Sequence, residues 1–234
     1  MSIAENIVRI RERIHSAAHR AQRDPDSITL MAVSKTFPPE AIREAYEAGI
    51  RVFGENRVQE FTSKAEALRG LTDAHWHMIG HLQTNKAAKA AELFQAIDSV
   101  DSLKLVEKLN DAARKYREKL SVLIEINVGG EAAKSGLAPE SPELENILSS
   151  AARLDSLEID GLMTIPPYTD DPQTARPYFR KLRELRDQIA TRHLPAVSMA
   201  TLSMGMSHDF EVAIEEGSTC VRVGTAIFGA RPKP

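Results

Sequence analysis

The chain has 234 residues, enough to bury a sizeable core in one large domain or in two small ones. Its 30 basic and 33 acidic residues leave a net charge of −3, which argues against a nucleic acid or a membrane surface as the main partner. The single cysteine, Cys220, excludes an internal disulfide framework and fits a reducing cytosol, and we expect it to be a buried strand residue.

The N-terminal segment predicts an amphipathic helix that precedes the first strand, because Ile3, Ile7, Ile10 and Ile14 recur at helical spacing. Charged residues run through this segment, so it lacks the continuous apolar core of a signal peptide. No apolar run in the chain approaches the roughly 20 residues that span a bilayer. We therefore expect a soluble, cytoplasmic protein.

Beyond this helix, short apolar segments alternate with amphipathic helical patterns. The apolar segments are rich in β-branched residues and lack strict alternation, which is typical of strands buried on both faces of a parallel sheet. They are ITLMAVS (28–34), RVFG (51–54), HWHMIG (75–80), AIDSV (96–100), SVLIEINV (121–128), LEIDGLM (157–163), SMATLSMG (198–205) and CVRVG (220–224). The expected helix starts are Pro38 with Pro39, Thr84, Asp101, Ser141 with Pro142, and Ser207.

Eight strand–helix repeats predict one α/β domain over residues 1–234, a (β/α)8 TIM barrel with an extra N-terminal helix. An open doubly wound sheet is the alternative, but it normally has a glycine-rich turn after its first strand. Here the first strand continues into SKTFPPE instead.

In such barrels, functional residues lie at the C-terminal ends of the strands. Polar and glycine-rich residues collect at these ends in this sequence, which favours one shared site. After Lys35 at the end of the first strand, the segments are FGENRVQE, IGHLQTNK, SVDS, NVGGEAAKSG, MTIPP, LSMGMSHDF and RVGTAIFG.

The last two segments have the features of a phosphate site. Ser203, Gly205 and Ser207 lead into one helix, and Gly224 with Thr225 leads into another, so backbone N–H groups and helix N-termini can approach an anion. Barrels commonly bind phosphate in the loops after strands seven and eight. A tight turn with a helix cap explains either segment alone, but two such segments at adjacent strand ends favour phosphate.

Lys35 closes the apolar run that begins at Ile28, where an ammonium group loses hydration. An apolar environment favours the neutral amine, which can attack a carbonyl group. A carbonyl and a phosphate on one molecule describe pyridoxal 5′-phosphate (PLP). The alternatives are a lysine that extends from the barrel mouth into solvent and a lysine paired with Glu55.

Several segments also resemble a known family. AVSKT, FGENRVQE, HWHMIGHLQTNK, KSG, GLMTI and LSMGMSHDFEVAIEEGSTCVRVGTAIFGAR resemble, in order, the pyridoxal phosphate homeostasis proteins. The resemblance runs from about residue 4 to residue 231 without a large gap. That family is similar to the barrel domain of alanine racemase without its second domain, so the resemblance implies a barrel with PLP as its cofactor.

The resemblance implies roles for the matching residues. Lys35 would hold the cofactor as a Schiff base, and Arg222 would face the pyridine nitrogen. Because a guanidinium only donates hydrogen bonds, that nitrogen would stay unprotonated and the ring would be a poor electron sink. Arg222 could instead be an outward residue paired with a helix carboxylate. The other expected contacts are Ser203 and the backbone around Gly205, Gly224 and Thr225 for the phosphate, Asn56 for the 3-oxygen, and His81 and Met163 along the ring.

The sequence leaves open the roles of Asn56 and of Lys134, which lies in the loop after the fifth strand. Asn56 could simply form a turn after the second strand. Lys134 lies near where the racemases have an arginine, and it is either a second amine that relays the aldehyde or a solvated loop lysine.

The function we expect from the resemblance is buffering and delivery of PLP in vitamin B6 homeostasis, without catalytic residues. The alternative is a PLP-dependent racemase or lyase of small amino acids. Racemisation needs two acid/base groups, and only Tyr168 could join Lys35 at the barrel mouth. A metal hydrolase built on His75 and His77 is a further alternative, with His81 and Asp98 or Asp101 as the only nearby candidate ligands, and we assign no metal ligand.

The partners we expect follow from this function. They are PLP and apo forms of PLP-dependent enzymes as recipients, with no nucleic acid and no membrane. We expect a monomer.

Overall fold

The computed structural model describes residues 1–131 and 135–230, and within them eight parallel strands close into a barrel in chain order. The last strand pairs with the first, with Met31 beside Arg222 and Ala32 beside Val223. This pairing confirms the predicted (β/α)8 barrel and excludes the open sheet. The strands are β1 (Thr29–Val33), β2 (Val52–Glu55), β3 (His75–Met78), β4 (Ala96–Val100), β5 (Leu120–Glu125), β6 (Leu157–Met163), β7 (Val197–Met206) and β8 (Cys220–Val223).

Helices surround the barrel, and the first precedes β1 as predicted. The α-helices of the described residues are α1 (Ile3–Arg20), α2 (Pro39–Glu47), α3 (Val58–Ala65), α4 (Ala87–Leu93), α5 (Leu103–Ala113), α6 (Pro142–Ser150), α7 (Arg176–Ala190), α8 (Phe210–Glu215) and α9 (Thr225–Phe228). Three expected helix starts are displaced. Ser102, not Asp101, caps α5, and α8 begins after Asp209 instead of Ser207. Thr84 begins a short 3-10 turn, and α4 follows from Ala87. None of the helices in this part of the chain has the length and apolar character needed to cross a bilayer.

The side chains of each strand alternate between the helix layer and the barrel interior. Ala32 belongs to the main core beneath the helices, whereas Met31 and Val33 join Ile79 and Cys220 in a separate cluster inside the barrel. The buried position of Cys220 in β8 agrees with the expectation from its apolar segment. Burial raises the pKa of its thiol to about 12, so the thiol stays protonated at neutral pH.

Helix α1 anchors α9, the last described helix. Its buried face carries Ile7, Ile10 and Ile14, and Ser2 caps its first turn through the Glu5 N–H. The Asn6 side-chain amide donates a hydrogen bond of 2.9 Å to the Ile227 carbonyl in α9. The extra helix therefore holds in place the short helix that follows β8.

We expect Ile10→Ala to lower the free energy of unfolding by about 2–4 kcal/mol, because the methyl groups removed leave a cavity between α1 and the barrel. Ile10 is 2% exposed, whereas Val8 on the same helix is 57% exposed. The matched control Val8→Ala should change stability by less than about 0.5 kcal/mol. Urea unfolding of both variants measures the difference, and equal effects would show that α1 does not dock through this face.

Candidate functional site

A cavity of about 350 Å³ opens at the C-terminal ends of β1, β7 and β8. This volume lies in the range of about 300–1,000 Å³ that is typical of small-molecule sites. Predicted site residues from both ends of the chain line it together. The residues along its wall are Val33, Lys35, Phe37, Tyr168, Met206, Ser207, His208, Arg222, Gly224 and Thr225.

Lys35 lies in a tight turn that follows β1. The Ser34 N–H donates to the Gly54 carbonyl of β2 at 3.0 Å, and the Phe37 N–H closes the turn on the Ser34 carbonyl at 3.2 Å. Lys35 itself is half-buried and lines the cavity. The sequence left Glu55 open as a partner for Lys35, and in the structure a different lysine, Lys64, binds both oxygens of that carboxylate at 3.0 Å.

Arg222 lies inside the barrel, with 3% of its surface exposed. Its Nη1 donates to Ser203 Oγ and its Nη2 to the Thr164 carbonyl, both at 2.7 Å. The outward alternative for Arg222 is therefore wrong. These two hydrogen bonds, one to β7 and one to the residue that follows β6, fix the plane of the guanidinium beside the cavity.

Several charged side chains lie near Arg222, which is unusual for the interior of a barrel. Burial lowers the pKa of the guanidinium, and the nearby carboxylates of Asp98, Asp209 and Glu125 oppose this shift. A guanidinium has donors and no acceptor. Any group that meets Arg222 in the cavity must therefore accept a hydrogen bond from it.

The small residues around the ends of β7 and β8 divide into two roles. Ser207, Gly224 and Thr225 line the cavity, and Ser207 Oγ accepts a hydrogen bond of 3.4 Å from the Ala226 N–H. Gly205 has a different role, because a Cβ at this position would lie 2.5 Å from the Ala213 Cβ. Its φ of +92° also favours glycine. Gly205 thus lets β7 pack closely against α8.

Ser203 and Met163 are completely buried beside the cavity instead of along its described wall. The Ser203 hydroxyl accepts from Arg222, so its contact with the site runs through the guanidinium. Asn56 lies in the bend after β2. A Cβ at Gly80 would lie 2.4 Å from the Asn56 carbonyl, which explains the glycine in IGHLQTNK as a close approach of two backbones.

His81 lines a neighbouring cavity of about 510 Å³ at the ends of β3 and β4. Its Nδ1 lies 3.1 Å from Asp101 Oδ2, and its side chain is largely exposed. The structure thus separates His81 from the described wall that Lys35 lines. Lys134, the possible second amine, lies outside the described residues.

Two of the three histidines of HWHMIGH, His77 and His81, are paired with carboxylates. His77 Nδ1 lies 3.0 Å from Asp98 Oδ1. Burial by itself would lower the pKa of His77, but the Asp98 carboxylate outweighs it and the pKa is raised. No group of three or more His, Cys, Asp or Glu side chains in the described ranges could hold a metal ion. The metal-hydrolase alternative therefore lacks a ligand set there.

Aromatic side chains frame the cavity, and of these the sequence identified only Tyr168. The rings of Tyr168 and His208 lie 5.6 Å apart on its rim, and Phe37 stacks on Phe228 at 4.7 Å. His208 belongs to the segment SMGMSHDF, but nothing in the sequence indicated that its ring contacts a tyrosine in the loop after β6. Only the approach of the two loops in space brings it to Tyr168.

Glu125, at the end of β5, is a buried carboxyl near Arg222 that the sequence did not identify. Burial, followed by the charge of Asp101, raises the pKa of its carboxyl to about 7, while Arg222 and His81 oppose the shift. Near neutral pH, the charge inside the barrel mouth therefore depends on this group.

Comparison with known proteins identifies close relatives of the chain. Residues 3–232 match the family described as "Alanine racemase, N-terminal domain". The pyridoxal phosphate homeostasis protein of Aquifex aeolicus is 49% identical over 231 residues, which cover 99% of each chain. The protein of the same name from Escherichia coli strain K12 is 43% identical over 231 residues, or 98% of this chain and 97% of that protein.

Solved structures give the same result. The structure of PipY from Synechococcus elongatus with PLP bound superposes with a TM-score of 0.83 at 38% identity, and covers 97% of this chain and 100% of PipY. Alanine racemase from Corynebacterium glutamicum superposes with a TM-score of 0.72 at 18% identity, over 97% of this chain and 61% of the racemase. At that identity, the second match concerns the fold alone.

We expect Glu125→Gln to stabilise the protein above neutral pH and to leave its stability unchanged near pH 4. The folded-state pKa of about 7 lies above the ordinary 4.5, so the unfolded chain releases this proton first. The wild type consequently loses stability as pH rises between these values, by about 1–3 kcal/mol in total, and glutamine removes the loss.

Thermal melting of the two proteins from pH 4 to pH 8 measures this difference. Shifts shared by other carboxyl groups cancel in the comparison. The exposed Glu158→Gln is the matched control and should show no such trend. A constant difference between wild type and Glu125→Gln across this range would contradict the raised pKa.

Proposed function

Because the chain belongs to the pyridoxal phosphate homeostasis proteins, within the family of the alanine racemase N-terminal domain, we propose that it binds PLP and buffers or delivers this cofactor. One observation carries the proposal: Lys35, Arg222 and the small residues after β7 and β8 line a single cavity. The names of the relatives and the PLP bound in PipY support the same ligand.

The residues of the cavity fit this cofactor. PLP supplies an aldehyde that condenses with a primary amine, and Lys35 is the amine on the cavity wall. Lys35 would hold the cofactor through this amine as a Schiff base, whose formation releases one water. Arg222, which is held in place by its hydrogen bonds to Ser203 and Thr164, provides a hydrogen-bond donor for the unprotonated pyridine nitrogen.

The phosphate fits the small residues of the neighbouring loops. Gly224, Thr225 and Ser207 line the cavity and offer backbone and hydroxyl donors to its oxygens. Ser203 holds Arg222, and Gly205 lets β7 pack on α8. The phosphate contacts expected of these two residues stay predictions. The contacts of Asn56, Met163 and His81 with the cofactor stay predictions.

We assign the protein a carrier role instead of efficient catalysis. Tyr168, the candidate second acid/base group, is 75% exposed, so solvent competes for its proton. A donor at the pyridine nitrogen also keeps the ring a poor electron sink. In this proposal the protein acts in the cytoplasm as one monomeric barrel domain over residues 1–234. Its recipients are apo forms of PLP-dependent enzymes.

A racemase or lyase of small amino acids is the second candidate, and one observation favours it. Lys35 and Tyr168 line the same cavity, as two opposed acid/base groups would.

We expect wild-type protein with added PLP to show an absorbance band near about 420 nm that borohydride abolishes, as for a protonated Schiff base. Lys35→Ala should lack the band because its side chain has no amine. The surface variant Lys89→Ala should keep it, since Lys89 lies on α4 and pairs with Glu92. A borohydride-sensitive band of full intensity in Lys35→Ala would assign the Schiff base to another lysine.

We also expect exchange of the alanine α-proton with D2O, followed by NMR, to proceed no faster with the holoprotein than with free PLP. Tyr168→Phe should not change this rate, because the carrier uses no second acid/base group. Faster exchange by the wild type that disappears in Tyr168→Phe would establish the racemase candidate instead.

A further inference from the structure

Lys64 is a buried lysine beneath the turn that carries Lys35. It lies on α3 and is 7% exposed. Its Nζ lies 3.0 Å from both carboxylate oxygens of Glu55 and 3.0 Å from Glu60 Oε1. A buried ammonium needs such partners, because losing one leaves an uncompensated charge.

The same ammonium also contacts the backbone of the Lys35 turn. Its Nζ lies 3.3 Å from the Ser34 carbonyl and 3.4 Å from the Phe37 carbonyl, the first and last residues of that turn. Its ion-pair partner Glu60 accepts a hydrogen bond of 2.6 Å from the Thr36 N–H. Lys64 and its carboxylates thus hold the turn on both sides of Lys35.

The turn is strained next to Lys35. Thr36 has a φ of +67°, in the left-handed region that β-branched residues avoid. Position three of a turn with this geometry is normally glycine. A strained backbone of this kind persists only when the surrounding structure enforces it, and such positions cluster at functional sites.

We propose that Lys64 is a positioning residue for Lys35. By binding the Ser34 and Phe37 carbonyls and fixing Glu60 on the Thr36 N–H, Lys64 holds the strained turn in the conformation that presents the Lys35 amine to the cavity. Without it, the turn relaxes and only a fraction of molecules is competent for the cofactor. The inference rests on the proposed function, since it takes Lys35 as the residue that binds PLP.

The role is distinct from a direct contact with the cofactor. Lys64 does not appear in the described wall of the cavity, which Lys35 and Arg222 line. Its effect must therefore pass through the backbone of the turn. Glycine at position 36 tests this, because it adopts a positive φ without strain.

The experiment compares Lys64→Met with Lys89→Met, a matched change of a surface lysine whose partner is Glu92. PLP affinity is measured by titration of the Schiff-base absorbance, and apo-protein stability by thermal melting. Lys64→Met should bind PLP about tenfold more weakly at a temperature well below its melting point, because the apparent Kd rises as the competent fraction falls. Lys89→Met should bind like the wild type.

Two further variants separate positioning from a purely structural role. Thr36→Gly in the Lys64→Met background should restore most of the lost affinity without restoring the melting temperature. Glu60→Ala leaves the buried Glu55–Lys64 pair intact and should also weaken PLP binding. This variant tests the proposal even if Lys64→Met fails to fold.

These measurements distinguish a failure of the proposed function from a failure of the positioning role. A wild type without a borohydride-sensitive band on Lys35 would overturn the proposed function whatever Lys64 does. Wild-type affinity in both Lys64→Met and Glu60→Ala would overturn the positioning role and leave the carrier function intact. Weak binding by Lys64→Met that Thr36→Gly does not restore would also overturn it, because the effect would not pass through the turn.

Discussion

The pairing of β8 with β1 is the constraint on which the site depends. It places Arg222 beside Met31 and Val223 beside Ala32, so the residues that follow both strands meet. Lys35 and Gly224 come from opposite ends of the chain, yet they line one cavity. In an open doubly wound sheet the first and last strands would not pair, and no cavity would unite these residues.

Closure also creates an interior that is more polar than a barrel core normally is. Arg222, Asp98 and Glu125 are all buried there. Such groups are tolerated when their hydrogen bonds are made, and Arg222 bonds to Ser203 and Thr164. The arrangement keeps a donor-only group at the cavity, while Glu125, with a pKa of about 7, makes the local charge depend on pH.

The strained backbone at Thr36 and the exposed rim of the cavity both agree with the proposed carrier role. Thr36 keeps a strained backbone beside Lys35, held by the buried cluster of Lys64 with Glu55 and Glu60. A backbone that is already fixed loses little conformational entropy when its residue binds a ligand. The rim, in contrast, carries the exposed ring of Tyr168 against His208, so the cavity mouth is not sealed from water. In the proposed carrier role, this combination would hold a cofactor without protecting a reactive intermediate.

The sequence by itself determined the eight strands, the leading helix and the strand ends at which polar residues collect, because these depend on local periodicity and composition. It also identified Lys35, Gly224 and Thr225, which stand next to their strands and need no distant partner to be recognised. The tertiary structure alone decided which residues meet across the barrel. Ser203 accepts a hydrogen bond from Arg222, and His81 pairs with Asp101. Lys64 contacts the carbonyls of Ser34 and Phe37. A strand pattern gives the face on which a side chain lies, but its partner depends on how neighbouring strands and loops approach in space.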